Sequence, residues 1–263
     1  MTKTPSKEQI DNLITSALDE DIGLGDITSR SIVSPDEIYT AEVLTRENIV
    51  LCGLDILKSV FFKLDPDASF LDDCFSDGDD IKSNTKILDI KANGVALLEG
   101  ERVALNILQR LCGIATLTKE YVDKANPVKI LDTRKTTPGL RLFEKYAVSC
   151  GGGKNHRFGL YDAVLIKDNH IKASGGIIQA VKKVKESHNN SIQIEVETST
   201  IDEVREAIEA KSDIIMLDNM SMDDIKEAVS IIDGRARIEV SGLISIDQLG
   251  VLSKIDIDCV SIG

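Results

Sequence analysis

Six short apolar runs in the second half of the chain, each ending in polar or glycine residues, constrain the fold most strongly. They are 128–131 before Asp132-Thr133-Arg134-Lys135, 163–166 before Lys167-Asp168-Asn169-His170, 192–196 before Glu197-Thr198, 214–217 before Asp218-Asn219, 238–240 before Ser241-Gly242, and 260–262 before Gly263. Successive runs start 22 to 35 residues apart, which is room for a strand and a crossover helix. The stretches 177–186, 201–210 and 223–232 between them carry apolar residues at helical period. Strands alternating with helices predict a parallel sheet whose strands are buried on both faces. Six units favour closure into an α/β barrel, and an open doubly wound sheet satisfies the same periodicity.

The first hundred residues read differently. Ser6-Lys7-Glu8-Gln9 has the spacing of a capping box and leads into apolar residues at helical period. Runs at 39–44, 49–52 and 86–90 are strand-like, and 95–98 is a further short apolar run. Segment 65–80 is acidic and turn-rich, so its carboxylates are expected on the solvated surface. A long helix is predicted from Gly100 to about Ala125, and it marks the junction between an N-terminal α+β domain, 1–110, and a C-terminal α/β domain, 111–263.

In a parallel barrel, reactive groups collect at the C-terminal ends of the strands. Here that rim gathers Arg134, Lys135, Lys167, Glu197, Asp218, Ser241, Gly242 and Gly263, and the long connection after the first strand adds Arg141, Lys145, Lys154, His156 and Arg157. The whole chain has 31 Lys and Arg against 44 Asp and Glu, a net charge of −13. Residues 129–172 nevertheless hold nine Lys/Arg and four Asp/Glu, a local balance of +5. An acidic protein repels nucleic acid and anionic membranes, so the basic island points instead to a small anionic ligand. Arginines suit bidentate capture of planar carboxylates. Two acids among the cations, Glu197 and Asp218, are candidate ligands for Mg²⁺, and the terminal Ser-Gly and Ile-Gly pairs suit a phosphate.

The five cysteines are scattered at 52, 74, 112, 150 and 259, with no close pair in sequence. That argues against a disulfide framework or a zinc knuckle, and they are expected to be buried small hydrophobes in a reducing compartment. The first residues lack the apolar core of a signal peptide, and no apolar run reaches about 18 residues. A cytoplasmic location is expected.

The run from Asp132 to Arg141, with Lys145-Tyr-Ala-Val, Gly151-Gly-Gly-Lys-Asn-His-Arg157 and Leu165-Ile-Lys-Asp-Asn-His170, resembles the quinolinate phosphoribosyltransferases. The resemblance extends to Gly23–Thr28, Glu101-Arg-Val-Ala-Leu-Asn106, Glu195-Val-Glu197, Met216-Leu-Asp-Asn219 and Glu239-Val-Ser-Gly242, and so covers nearly the whole chain. It implies an N-terminal α+β, sandwich-like domain followed by an incomplete, open α/β barrel, the type II phosphoribosyltransferase fold. It also implies conversion of quinolinate and phosphoribosyl pyrophosphate to nicotinate mononucleotide, pyrophosphate and CO₂, with Mg²⁺, in NAD biosynthesis. Matched by motif, Arg134, His156, Arg157 and Lys167 surround quinolinate, with Thr133 and Lys135 beside it. Arg102 corresponds to an arginine supplied by the partner subunit of a homodimer. Glu197 and Asp218 face the ribose hydroxyls and Mg²⁺, while Ser241, Gly242, Leu243, Ile262 and Gly263 hold the 5′-phosphate. Lys135, Lys167, Glu197 and Asp218 are the candidate catalytic residues.

Family members usually have threonine where Val103 stands, a change that leaves the preceding arginine undisturbed. They also continue past the last glycine, so a chain stopping at Gly263 is expected to be less stable and to bind the phosphoribosyl substrate weakly. Three other readings compete: the molybdenum-transport-associated paralogue of the family, a Schiff-base lyase using Lys167, and a binding protein without turnover. The intact Asp132-Thr133-Arg134-Lys135 stretch favours the quinolinate enzyme over the paralogue.

Overall fold

A computed structural model describes residues 4–34, 36–189 and 191–263. The chain forms two compact units, the first from 1–119 with 142–152 and the second from 120–141 with 153–263.

The first unit begins with α1 (Lys7–Ile22), held by the Ser6–Gln9 capping box that its sequence predicts, and the short α2 (Ser29–Ile32). Then come β1 (Ile38–Leu44), β2 (Ile49–Val50), α3 (Leu54–Leu64), β3 (Ser69–Leu71), β4 (Asp80–Ile81) and β5 (Lys86–Asn93). Strands β1, β5 and β3 form an antiparallel sheet in that order, and β2 pairs with β4. The helix α4 (Gly94–Ala125) starts six residues before the expected Gly100. Asn93 explains the difference, because its side chain accepts hydrogen bonds from the backbone N–H of Val95 and Ala96 and so caps the helix there. The apolar run at 95–98 is therefore its first turn rather than a strand.

The acidic segment is also more than solvated surface. Gly53 stands at the start of α3 with φ of 100° and supplies no side-chain cap. Asp77 caps that helix from 24 residues away, accepting from the N–H groups of Gly53 and Leu54 and from the Tyr146 hydroxyl. Asp65 likewise accepts from the backbone of Asp67 and Asn93.

The second unit contains β6 (Lys129–Leu131). After α5 (Arg141–Cys150), most of which belongs to the first unit, it resumes with β7 (Val164–Ile166), α6 (Asp168–Ser174) and α7 (Ile177–Ser187). Three strand–helix repeats follow: β8 (Ile194–Thr198) with α8 (Ile201–Glu209), β9 (Ile214–Asp218) with α9 (Met222–Ile232), and β10 (Arg237–Ser241) with α10 (Ile246–Leu252). The last strand is β11 (Cys259–Ser261). The six strands are parallel in the order β6-β11-β10-β9-β8-β7. The two edge strands β6 and β7 are not paired, so this is an open barrel.

The burial pattern corrects one detail of the sequence reading. The strands are buried on both faces, but only one face is apolar. Ile130, Ile166, Ile194, Val196, Ile215, Leu217, Ile238, Val240 and Val260 enter a single hydrophobic cluster with the helix residues Ile177, Val181, Val204, Ala207, Ile225 and Ala228. Strand residues alternate between faces, which leaves Glu195, Glu197, Met216, Asp218, Glu239, Ser241, Cys259 and Ser261 on the opposite, concave side. Among the described residues no helix is long and apolar enough to cross a membrane.

Candidate active site

Every proposed site residue except Arg102 lies in the second unit, at or just past the C-terminal ends of its parallel strands or, for His156 and Arg157, in the connection between α5 and β7. Arg102 sits on α4 in the first unit, exposed, 3.9 Å from Glu101.

Asp132 builds the first part of this rim. It is buried at the end of β6, and its carboxylate accepts from the backbone N–H of His156 and the side-chain amide of Asn155. The backbones of Asp132 and Lys154 are hydrogen bonded, and Lys154 forms a parallel bridge with Leu131. These contacts seat residues 154–157 against β6. Arg141 ties down the other side, its guanidinium donating to Thr136 Oγ1 and to the carbonyls of Phe158 and Arg134. It therefore organises the rim loop rather than offering its charge to a ligand. Lys145 is buried on α5 and is grouped with the first unit.

Arg134 and Arg157 are thereby placed close enough to repel each other. Burial and then the neighbouring Arg134 guanidinium weaken the hold of Arg157 on its proton, while Arg134 Nε is buried without a hydrogen-bond partner. Arg157 donates to the carbonyl of Ala163 at 3.3 Å. Two partly buried guanidiniums side by side, one of them with an orphaned donor, present planar forks of the kind that suit carboxylates.

Opposite charges meet on the next strands. Lys167 Nζ lies 2.6 Å from Glu197 Oε2, and Asp218 accepts from the amide of Asn219. Asn219 has φ of 55°, and its backbone N–H donates to the Ser241 carbonyl. Gly242 packs directly over it with φ of 121°. A Cβ there would fall 2.5 Å from Asn219 Oδ1 and 3.0 Å from its backbone nitrogen, so only glycine fits. At the last strand, a Cβ on Gly263 would lie 3.0 Å from Lys135 Cδ. The Ser241-Gly242 and Gly263 ends thus keep backbone at the rim where side chains would crowd it.

His156 is held from both sides. Its Nδ1 accepts the N–H of Arg157 at 2.7 Å, and its Nε2 lies 3.0 Å from Glu195 Oε2 and 3.7 Å from Glu239 Oε2. Both glutamates are buried on the concave face of the sheet. Burial, reinforced by the charge of Glu195, pushes Glu239 up to about 7, because two carboxylates this close cannot both ionise cheaply. His156, Glu195 and Glu239 lie near enough to share a cation, but the tautomer opposes it. A neutral imidazole whose Nδ1 accepts a hydrogen bond carries its proton on Nε2, the atom a metal would need.

A second such group, Cys52, Asp77 and Cys150, lies in the first unit; of the five cysteines expected to be buried, Cys52 and Cys112 are, Cys150 and Cys259 are half-buried and Cys74 is exposed. Cys112 joins it through the backbone of Cys52. The Asp77 oxygens are already engaged with Gly53, Leu54 and Tyr146, which leaves little for a metal. The fold brings these cysteines together from positions nearly a hundred residues apart, a convergence no local spacing signals. Asp132, Asn155, Asn219 and Glu239 likewise lay outside the predicted set. For Asp132 and Glu239 a signal existed: an acid at the end or in the middle of an apolar strand run.

Two family descriptions match the chain and together span it almost entirely: quinolinate phosphoribosyl transferase, N-terminal domain, over residues 26–112, and the C-terminal domain over 114–263. The chain belongs to the quinolinate phosphoribosyl transferase family. A probable carboxylating nicotinate-nucleotide pyrophosphorylase of Bacillus subtilis is 42% identical over 97% of this chain and 88% of its own length. The crystal structure of NadC from Streptococcus pyogenes superimposes with a TM-score of 0.95 at 41% identity, covering 99% of this chain and 93% of that one. The nicotinate-nucleotide pyrophosphorylase of Francisella tularensis gives 0.93 at 43% identity, covering 100% and 92%.

Proposed function

We propose that the protein is a carboxylating nicotinate-nucleotide pyrophosphorylase, converting quinolinate and phosphoribosyl pyrophosphate to nicotinate mononucleotide, pyrophosphate and CO₂. The observation that carries this reading is the Arg134–Arg157 pair. Among the described residues neither guanidinium has a carboxylate in hydrogen-bond contact, the charges of Glu195 and Asp162 reaching Arg157 only through space, and a dianionic pyridine dicarboxylate would complete the pair. Lys167 completes the cationic wall from the β7 end, and Lys135, with Thr133 Oγ1 accepting its backbone N–H, stands exposed beside Gly263. Ser241, Gly242, Leu243, Ile262 and Gly263 present the backbone of the last two strand ends to the 5′-phosphate.

The chemistry asks the chain for positioning and electrostatics rather than a nucleophile. As the C1–pyrophosphate bond breaks, the ribose becomes oxocarbenium-like, and Glu197 and Asp218 offer negative charge to that centre. Arg134 and Arg157 hold the pyridine so that its nitrogen attacks C1. The quaternised ring then draws in the electron pair of the bond to the 2-carboxylate, CO₂ leaves, and the ring carbon takes up a proton. The Lys167–Glu197 ion pair must open or share its partners as substrates arrive, which couples binding of the dianion to exposure of the carboxylate.

The donor set at β8 and β9 suits Mg²⁺. Glu197 and Asp218 are hard oxygen ligands on adjacent strands, and Mg²⁺ takes one or two carboxylates together with phosphate oxygens. Bound there with the phosphoribosyl substrate, the ion would neutralise charge on the departing pyrophosphate. A homodimer in the cytoplasm is part of the same proposal. It is supported by an apolar groove of about 1070 Å³ in the first unit, lined by Tyr39, Leu44, Leu97, Leu98, Leu105 and Leu108, a surface unsuited to water. On this reading a partner's copy of α4 would bring its Arg102 to the rim.

The test is an assay for CO₂ and nicotinate mononucleotide from quinolinate, phosphoribosyl pyrophosphate and Mg²⁺. Stoichiometric release of both products is expected. Pyrophosphate release without CO₂, or no turnover by folded protein, would overturn the assignment. Borohydride trapping of Lys167 with a carbonyl substrate would instead favour the lyase.

A further inference from the structure

We propose that Cys150 and Cys52 form a redox-active pair: the Cys150 sulfur reduces a small hydroperoxide, and Cys52 resolves the product into an intramolecular disulfide. The pair lies within the first unit and uses no residue of the rim, so it stands apart from the proposed activity.

The backbone brings the two thiols together and holds them there. Cys52 follows β2 and precedes Gly53, the residue at the start of α3, while Cys150 is the last residue of α5. Their sulfurs and a carboxylate oxygen of Asp77 all lie within 4.8 Å of one another. A disulfide needs about 2.05 Å between the sulfurs, and rotation between side-chain rotamers at the end of a helix supplies an approach of that size. On one side, Asp77 accepts from the N–H groups of Gly53 and Leu54 and fixes the chain next to Cys52. On the other, Gly151 donates to the Ala147 carbonyl and sits so close to α4 that a Cβ on it would fall 2.3 Å from the Ala115 carbonyl oxygen.

The surroundings give the two sulfurs different roles. Cys52 is buried and Cys150 half-buried, so a small oxidant reaches Cys150 first. The Cys52 thiol, and after it the Tyr146 hydroxyl, donate to the Cys150 sulfur and hold its thiol below the ordinary value, against burial and the Asp77 charge, which act the other way. Donation to Cys150 and burial push Cys52 up instead. A partly exposed thiol with stabilised thiolate character beside a second thiol is the arrangement that oxidation selects. Cys112 is a spectator: it accepts the backbone N–H of Cys52 at 3.3 Å, its thiol faces the Cys52 carbonyl at 3.5 Å, and burial pushes it up to about 11.

The chemistry balances with a hydroperoxide as the oxidant. The Cys150 thiolate attacks one peroxide oxygen, the O–O bond breaks, and its electron pair leaves on the other oxygen, which takes up a proton. Cys52 then attacks the sulfur of the Cys150 sulfenic acid; the S–O bond breaks, the S–S bond forms, and the hydroxide leaves as water with the Cys52 proton. Two thiols and one hydroperoxide thus give one disulfide, one alcohol (water, from hydrogen peroxide) and one water, with two electrons passing from sulfur to oxygen. The new bond ties the start of α3 to the end of α5.

The test is a thiol count and a tryptic map of the folded chain after exposure to hydrogen peroxide. Cys74 is exposed, so the work is done on Cys74→Ser, which removes the thiol best placed to join two molecules. Two of the four remaining thiols should disappear, peptides 47–58 and 146–154 should appear joined within one chain, and dithiothreitol should restore both. Adding Cys150→Ser should abolish the disulfide and leave Cys52 reduced. Adding Cys52→Ala should stop the reaction at a Cys150 sulfenic acid, which dimedone captures, and adding Cys112→Ser should leave the map unchanged. A disulfide that includes peptide 111–119, a dimedone adduct on Cys52 in place of Cys150, or four thiols that all survive in folded protein would overturn the proposal. The Cys74→Ser map alone decides it if a buried substitution prevents folding, and none of these measurements depends on turnover of quinolinate.

Discussion

Replacing Glu239 by glutamine should make the protein more stable at pH 8 and leave it nearly unchanged at pH 5. In the folded chain this carboxyl is pushed from an ordinary value of 4.5 up to about 7, by burial first and the Glu195 charge second. A raised value means that the folded state keeps a proton which the unfolded chain releases. Below pH 4.5 both states are protonated and the group contributes in full; as pH rises, the unfolded chain ionises first and stability falls. The fall ends once the folded state also ionises, near pH 7. A difference of about 2.5 units at 1.36 kcal/mol each amounts to about 3 kcal/mol, nearly all of it incurred between pH 4.5 and 7. Glutamine has the same shape, cannot ionise, and can donate its amide to Glu195 while still accepting from the Cys259 thiol that now faces Glu239 at 3.6 Å. Urea unfolding followed by circular dichroism at pH 5 and pH 8 measures the effect. The difference between variant and parent should grow by about 2–3 kcal/mol from the lower to the higher pH, with titrating groups remote from Glu239 cancelling in the subtraction. An equal difference at both pH values would mean that Glu239 is not the buried proton carrier, and the account of the concave face would be wrong.

Arg134→Lys should raise the KM for quinolinate by roughly tenfold or more, because an ammonium cannot reproduce a planar fork beside Arg157; steady-state kinetics at saturating phosphoribosyl pyrophosphate would show it. Asp77→Ala should destabilise the first unit by about 2–3 kcal/mol, the sum of a lost helix cap and a lost bond from the Tyr146 hydroxyl, as read from chemical denaturation, with Asp77→Asn intermediate. Glu197→Gln should lower kcat by at least tenfold through the loss of charge facing the ribose, whereas His188→Ala, at the exposed C-terminal cap of α7, should leave both kinetic constants within about twofold of the parent.

The strand–helix series was legible because its signal is repeated six times and each repeat is local. The positions at strand ends followed from it, since a barrel has one reactive rim and the sequence puts its cations, acids and glycines there. Contacts that join distant parts of the chain were less accessible. Asp77 was read as surface because an acidic, turn-rich stretch normally is, yet it caps a helix whose own first residue is a glycine with nothing to offer. Lys145 is buried, which the basic, polar stretch around it does not signal.

The concave face shows where sequence pattern stops and register takes over. In β8 the run Ile194-Glu195-Val196-Glu197 alternates perfectly, and the alternation says that both glutamates share a face. It does not say that one meets a histidine and the other a lysine. That distinction comes from depth: Glu197, at the strand end, is within reach of Lys167 at the end of the neighbouring strand, while Glu195, two residues further in, meets the ring of His156 and the carboxyl of Glu239. A two-residue step along one strand therefore divides the acids into those at the rim and those enclosed beneath them. The enclosed pair cannot serve as freely ionised ligands, because holding both charges together in a dry interior is what raises Glu239. What they meet is the ring of His156, whose other nitrogen accepts the backbone N–H of Arg157, so a line of polar contacts runs from the enclosed acids up to the rim.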